Sequence, residues 1–243
     1  MATTDTPLGS IWQSVVGWAG RPPDDEALEA VEALIPQGDA FWGYVRQFAS
    51  LIVLSAAIAS FGLLSDSAAV VIGAMLVAPL MTPITAAAAA TVMARNARLV
   101  QSLLIIAFGT VAAVAVGWAC AALSGITAST AGELPGQVVA RTFPGLLDLG
   151  VAITAGAAAG YILPRRSTTS ALPGVGIAVA LVPPLATVGI TWHLGFASES
   201  WNAMLLFLTN LAAIIFTVSM MLIAVGFRPG VSTRRALARR FMI

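Results

Sequence analysis

Six long apolar runs, near residues 47–64, 67–93, 99–123, 145–163, 173–192 and 201–227, dominate the chain, and each is nearly free of charge. Crossing a hydrocarbon layer of about 30 Å takes roughly 20 helical residues. The pattern therefore predicts six transmembrane helices. The polar positions between them are uneven. Arg21 and Arg46 precede the first run, Arg95 and Arg98 join the second to the third, Arg165 and Arg166 join the fourth to the fifth, and five arginines follow the sixth. Arg141 alone falls on the other side. Basic residues in short loops stay on the cytoplasmic side, so both termini are expected there. The acids Asp66, Glu133, Asp148 and Glu199 fall on the external side. Trp42 and Tyr44 mark the inner interface, and Trp118, Trp192 and Trp201 the outer one.

Residues 1–45 read as a cytoplasmic segment with two short amphipathic helices. Ser10 and Gln13 form a capping box ahead of Ile11, Trp12, Val15, Val16 and Ala19 on one face. Pro22, Pro23 and Asp24 open the second helix, where Leu28, Val31, Leu34 and Ile35 face one way and Glu26, Glu29 and Glu32 another. These faces are expected to pack beneath the bundle or against another subunit. The segment lacks the basic, apolar, small-residue order of a cleavable signal, so the first span should insert uncleaved. Residues 46–228 form the six-helix domain. Residues 229–243 form a basic tail whose Leu237 and Phe241, flanked by arginine, suit anionic lipid.

A repeat runs through the spans. Leu76-Val77-Ala78-Pro79-Leu80-Met81-Thr82 returns as Leu181-Val182-Pro183-Pro184-Leu185-Ala186-Thr187, identical at five of seven positions after 105 residues. A shift of 100 lays residues 111–114 on 211–214, and one of 99 lays 55–64 on 154–163. The expected fold is thus all-α, with two three-helix repeats at about 46–123 and 145–228. Three is odd, so the second repeat enters from the opposite side. Inverted repeats with discontinuous helices in matching positions are a device of secondary transporters.

Proline deletes a helical donor and clashes with the carbonyl four residues back, so Pro79 with Pro83, and Pro183 with Pro184, are expected to break or bend spans two and five near mid-membrane. Freed backbone there must face protein or a water-filled cavity. With the hydroxyls of Thr82 and Thr187, it would form a neutral polar site for an ion or small solute. A structural kink, with threonine bonding its own backbone, is the other reading.

Asp148, one turn inside span four, either serves a solute path or caps the helix and pairs with Arg141. Asn210, deep in span six beside Thr209, either bonds across to a neighbouring helix or completes the central site. Gly156 and Gly160, with Ala86 to Ala90, allow close backbone approach. His193, at the outer end of span five, reads as a solvated loop side chain with no metal-binding company.

Composition narrows the function. Of 243 residues, 58% are hydrophobic and 9% charged, with a mean hydropathy of +0.92, far from a soluble domain. All twelve basic residues are arginine. Cys120 is a lone cysteine without an internal disulfide partner. Phosphate loops, zinc spacings and nucleophile elbows are missing, so neither catalysis nor any cofactor or metal is expected. Nucleic acid is not an expected partner either, because the arginines line a membrane rim.

The run Ser67-Ala-Ala-Val-Val-Ile-Gly73-Ala-Met-Leu-Val-Ala-Pro79-Leu-Met81 with Pro83, then Gly176-Ile-Ala-Val-Ala-Leu-Val-Pro183-Pro184-Leu185, and Thr209-Asn210-Leu211, resembles the family catalogued as domain of unknown function 389. The resemblance covers spans one to six and implies a prokaryotic, multi-pass inner-membrane protein. It implies no function. Some relatives carry a larger soluble domain ahead of the spans, where this chain has the short acidic segment.

The sequence supports two functional expectations. One is a secondary transporter or channel for a small polar or ionic solute, in a homo-oligomer, with Pro79, Thr82, Pro83, Pro184, Thr187 and Asn210 at the site and Asp148 as an entrance acid. The other is a non-transporting sensor that binds an anion, such as a nucleotide or lipid headgroup, at Arg95, Arg98, Arg165 and Arg166.

Overall fold

The computed structural model describes residues 28, 29, 31, 33–126, 134–165 and 172–227, with the side chains of 165 and 172–180 excepted. The first amphipathic helix and the basic tail lie outside these. The elements are all helical: α1 (Asp39–Leu64), α2 (Ala68–Val77), α3 (Met81–Val92), α4 (Asn96–Leu123), α5 (Gly136–Val139), α6 (Leu146–Ile162), a 3₁₀ turn (Leu163–Arg165), α7 (Leu172–His193) and α8 (Ala197–Ala224). Helices α1, α4 and α8 are long and apolar enough to cross a membrane, and α2 with α3, bent by 55°, makes a fourth such span if the pair counts as one. Helix α6 is apolar and 17 residues long. Their outer faces suit lipid: Leu104, Val111, Leu123 and Phe216 are largely exposed.

The bend between α2 and α3 has a local cause. Ala78 precedes Pro79, and a residue before proline is pushed out of the helical region; Ala78 is extended, at φ −66° and ψ 126°. Its N–H turns to the Met75 carbonyl (3.3 Å), and the Ala74 carbonyl takes the Ser55 hydroxyl of α1 instead, at 2.8 Å. A buried hydroxyl thus satisfies backbone that the break exposes. Pro83 is the third residue of α3, where a helix has no use for its N–H.

Of the break or bend expected at Pro183–Pro184, the break does not form: both prolines lie inside the uninterrupted α7. Packing explains the difference. Residues 181–191 of α7 are all buried, and α1, α2, α4, α6 and α8 surround the helix. A helix held on every side has nowhere to swing, whereas Ile72 and Leu76 of α2 are exposed. Thr154, the repeat counterpart of Ser55, bonds its own helix at the Gly150 carbonyl, 2.9 Å.

One turn type closes α1, α3, α7 and α8. Its backbone donor reaches five residues back, as in Ser67 to Gly62 (2.8 Å) and Arg95 to Ala90 (2.9 Å), and the residue between is left-handed. Gly195 and Gly226 fill that place after α7 and α8, but after α1 and α3 it holds Asp66 and Ala94, both at φ +53°. A Cβ there costs about 1 kcal/mol. Ala94→Gly is therefore expected to stabilise the protein by about 1 kcal/mol, read as a raised melting temperature in detergent.

Candidate functional site

The bundle has two distinguishable ends. At one, Arg98 Nη1 donates to the Ile35 carbonyl (2.9 Å) and Gln37 donates to Gln101 (3.2 Å), so the segment before α1 lies against the start of α4. Leu28, Val31, Leu34 and Ile35 are buried there. At the other end, the Gln137 N–H donates to Asp66 Oδ1 (2.7 Å), and the Thr191 and Ser200 hydroxyls bond at 2.8 Å. His193 is the last residue of α7 and meets the Trp118 ring edge-on at 5.2 Å, rather than lying in a loop.

A cleft of about 310 Å³ opens at the Asp66 end, lined by residues from α2, α5, α6, α7 and α8 and the loop before α6. It brings together Asp148, Pro184 and Asn210, three of the residues expected at the site, and adds Arg141, Gln137 and Met75. Asn210 is 3% exposed. Asp148 sits in the first turn of α6, and its Oδ2 accepts the Gly145 N–H at 3.0 Å, so it does cap the helix. Arg141 is half-buried and its Nη1 donates to the Gln137 carbonyl and to Gln137 Oε1. Burial pulls the Arg141 pKa below its ordinary value, and the Asp148 charge offsets that in part.

A second cleft, of about 360 Å³, opens at the Ile35 end between the segment before α1, α1 itself and the bend. Pro79 and Thr82 line it together with Tyr44, Gln47 and Phe48. The Tyr44 hydroxyl is buried and has no hydrogen-bond partner among the described residues. Met75, one turn before Pro79, lines the first cleft, so the two approach each other along the broken helix.

Pro83 and Thr187 are buried and line neither cleft. Thr187 behaves unlike seven other helical threonines here. Thr85, Thr91, Thr110, Thr154, Thr191, Thr209 and Thr217 each donate to the carbonyl four residues back. The Thr187 hydroxyl, fully buried one turn after Pro183, has no partner among the described residues. Gly156 and Gly160 face α8: a Cβ on Gly156 would come within 3.2 Å of Ile214 backbone, and one on Gly160 within 2.7 Å of Met221. Arg95 and Arg98 border a small pocket with Ile35 and Ser102, while the Arg165 side chain and Arg166 fall outside the described residues.

The model of the family described as "Domain of unknown function (DUF389)" matches residues 75–216, more than half of the chain. The chain belongs to this family. The match runs from within α2 into α8, narrower than the resemblance read from the sequence, and omits α1. The Arg141 cleft lies entirely inside the DUF389 region, whereas Tyr44 and Ser55 lie outside it. An uncharacterized protein of Methanocaldococcus jannaschii is 26% identical over 193 residues, which is 79% of this chain and 58% of that protein. The chain thus spans little more than half the length of that relative. No solved structure matches it.

Gln137 carries no signal in the sequence, Tyr44 is legible there only as an interface aromatic, and Arg141 only as a partner for Asp148 and the single arginine on its side of the charge pattern.

Proposed function

We propose that this DUF389 protein is a secondary transporter or channel for a small polar or ionic solute and not an enzyme. It would cross the prokaryotic inner membrane six times, termini cytoplasmic, as two inverted three-helix repeats, and assemble as a homo-oligomer. The observation that carries the reading is the pair of clefts, similar in size, that enter from opposite ends and approach each other at the α2–α3 bend. A path interrupted near its middle is what alternating access requires. Neighbour relations support the repeat: α1 packs on α4 as α6 packs on α8, and α4 meets α7 as α8 meets α3. The unbroken α7 departs from that symmetry, so the mobile element in this reading is the α2–α3 bend. The anion-sensor reading has less behind it, because Arg98 already holds the Ile35 carbonyl.

Cysteines placed in a Cys120→Ala background test the path. Asn210→Cys should react with a membrane-impermeant maleimide only from the external face, and Thr82→Cys only from the cytoplasmic face. Labelling of both from one face would overturn the two-sided path.

A further inference from the structure

The Arg141 cleft holds opposite charges that feel each other, while the hydrogen bonds of each go to other groups. Arg141 Nη1 is held by Gln137, and Asp148 Oδ2 by the Gly145 N–H. Among the described residues, these bonds engage only Nη1 of Arg141 and Oδ2 of Asp148, so Nε, Nη2 and Oδ1 take no part in them. Both residues face one volume of about 310 Å³, at the small end of the roughly 300–1,000 Å³ common for ligand sites. Met75, Val151, Pro184 and Leu206 make its apolar wall, and the amide of Asn210 is its polar group on α8.

We infer that this cleft binds a small zwitterion of the α-amino acid class with a modest apolar side chain. A guanidinium fork matches a carboxylate in charge and geometry, and a free carboxylate oxygen accepts from an ammonium group. A simple anion would leave Asp148 facing a like charge, and a simple cation would do the same to Arg141. A bare inorganic ion has no use for the apolar wall. Only a ligand with both charges and an apolar part meets all three surfaces. The inference deepens the transport reading and rests on it for the solute's onward path.

The test is binding to purified full-length protein in detergent, by thermal shift and equilibrium binding of labelled L-leucine and L-alanine. Isocaproate, which is leucine without its ammonium group, and isoamylamine, which lacks the carboxylate, serve as one-charge probes. Saturable binding of the amino acids is expected, with each one-charge probe about ten- to hundredfold weaker. Arg141→Gln should weaken leucine by a similar factor, and Arg141→Lys by less. Asp148→Asn retains an oxygen for the Gly145 N–H, so it should keep the fold, weaken leucine and strengthen isocaproate. The inference is overturned if neither amino acid binds, if a one-charge probe binds as tightly, or if Arg141→Gln and Arg141→Lys both bind leucine like the parent. Leucine binding without uptake into proteoliposomes would sink the transport reading alone. Uptake of some other solute without amino-acid binding would sink only the zwitterion.

Discussion

Gly189→Ala is expected to destabilise the protein by about 3 kcal/mol, at the upper end of what one added methyl does in a packed core. The reason is a contact of backbone on backbone. A Cβ on Gly189 would lie 2.1 Å from the Val114 carbonyl oxygen and 2.5 Å from the Trp118 nitrogen, and one on Gly117 would lie 2.5 Å from the Ala186 carbonyl oxygen. No rotamer change relieves such contacts, because the atoms struck are backbone. Helices α4 and α7 would have to separate, and α7 is the helix that the rest of the bundle surrounds. Alanine's advantage over glycine in a helix, about 1 kcal/mol, is too small to compensate. Gly73→Ala is the control: nothing lies within 4 Å of its added Cβ, so the same propensity gain should appear there unopposed. Melting curves in detergent for the two variants should move in opposite directions. Equal shifts would mean that α4 and α7 do not touch at Gly189.

The same contact marks where sequence reading stops. Gly156 and Gly160 announce themselves by sharing one face of one helix, and they do face α8 closely. Gly117 and Gly189 are 72 positions apart on different helices, and nothing in the chain pairs them before α4 and α7 are laid together. Prolines divide in the same way. The break at Ala78 is legible, because the restriction on a residue before proline is local. The continuity of α7 through Pro183 and Pro184 is not, because it depends on neighbours around residues 181–191. Helix ends were legible to within a residue or two for α6 and α7, where apolar runs end sharply. The start of α1 was not, since the helix begins at Asp39, eight residues before the apolar run, and the aromatic stretch between is bounded by Asp39 and Arg46. Asp148, Pro184 and Asn210 stand out as polar or helix-breaking groups inside apolar runs, and the fold brings them to one cleft. Arg141, legible only as the odd arginine and a partner for Asp148, and Gln137 of the short α5, which carries no signal of its own, complete it.

Thr187 and Thr191, one turn apart on α7, are expected to respond oppositely to valine. Thr191 donates to the Thr187 carbonyl at 2.8 Å and shares a 2.8 Å bond with Ser200 of α8, so Thr191→Val should cost about 1 kcal/mol by losing the bond between helices, while Ser200 keeps the Phe196 carbonyl. Thr187 has the same shape and is equally buried, yet its hydroxyl has no partner among the described residues. Burying an unpaired hydroxyl costs roughly 1–3 kcal/mol, so the nearly isosteric Thr187→Val should recover part of that and raise the melting temperature. Seven other helical threonines place this hydroxyl on their own backbone, so its freedom at Thr187 is a property of the site and not of the residue. In the transport reading, the hydroxyl is held for a solute passing between the clefts. The stabilised Thr187→Val protein should then lose uptake in proteoliposomes while gaining stability in detergent. A Thr187→Val protein as destabilised as Thr191→Val would show that the hydroxyl has a structural partner, and Thr187 would leave the proposed path.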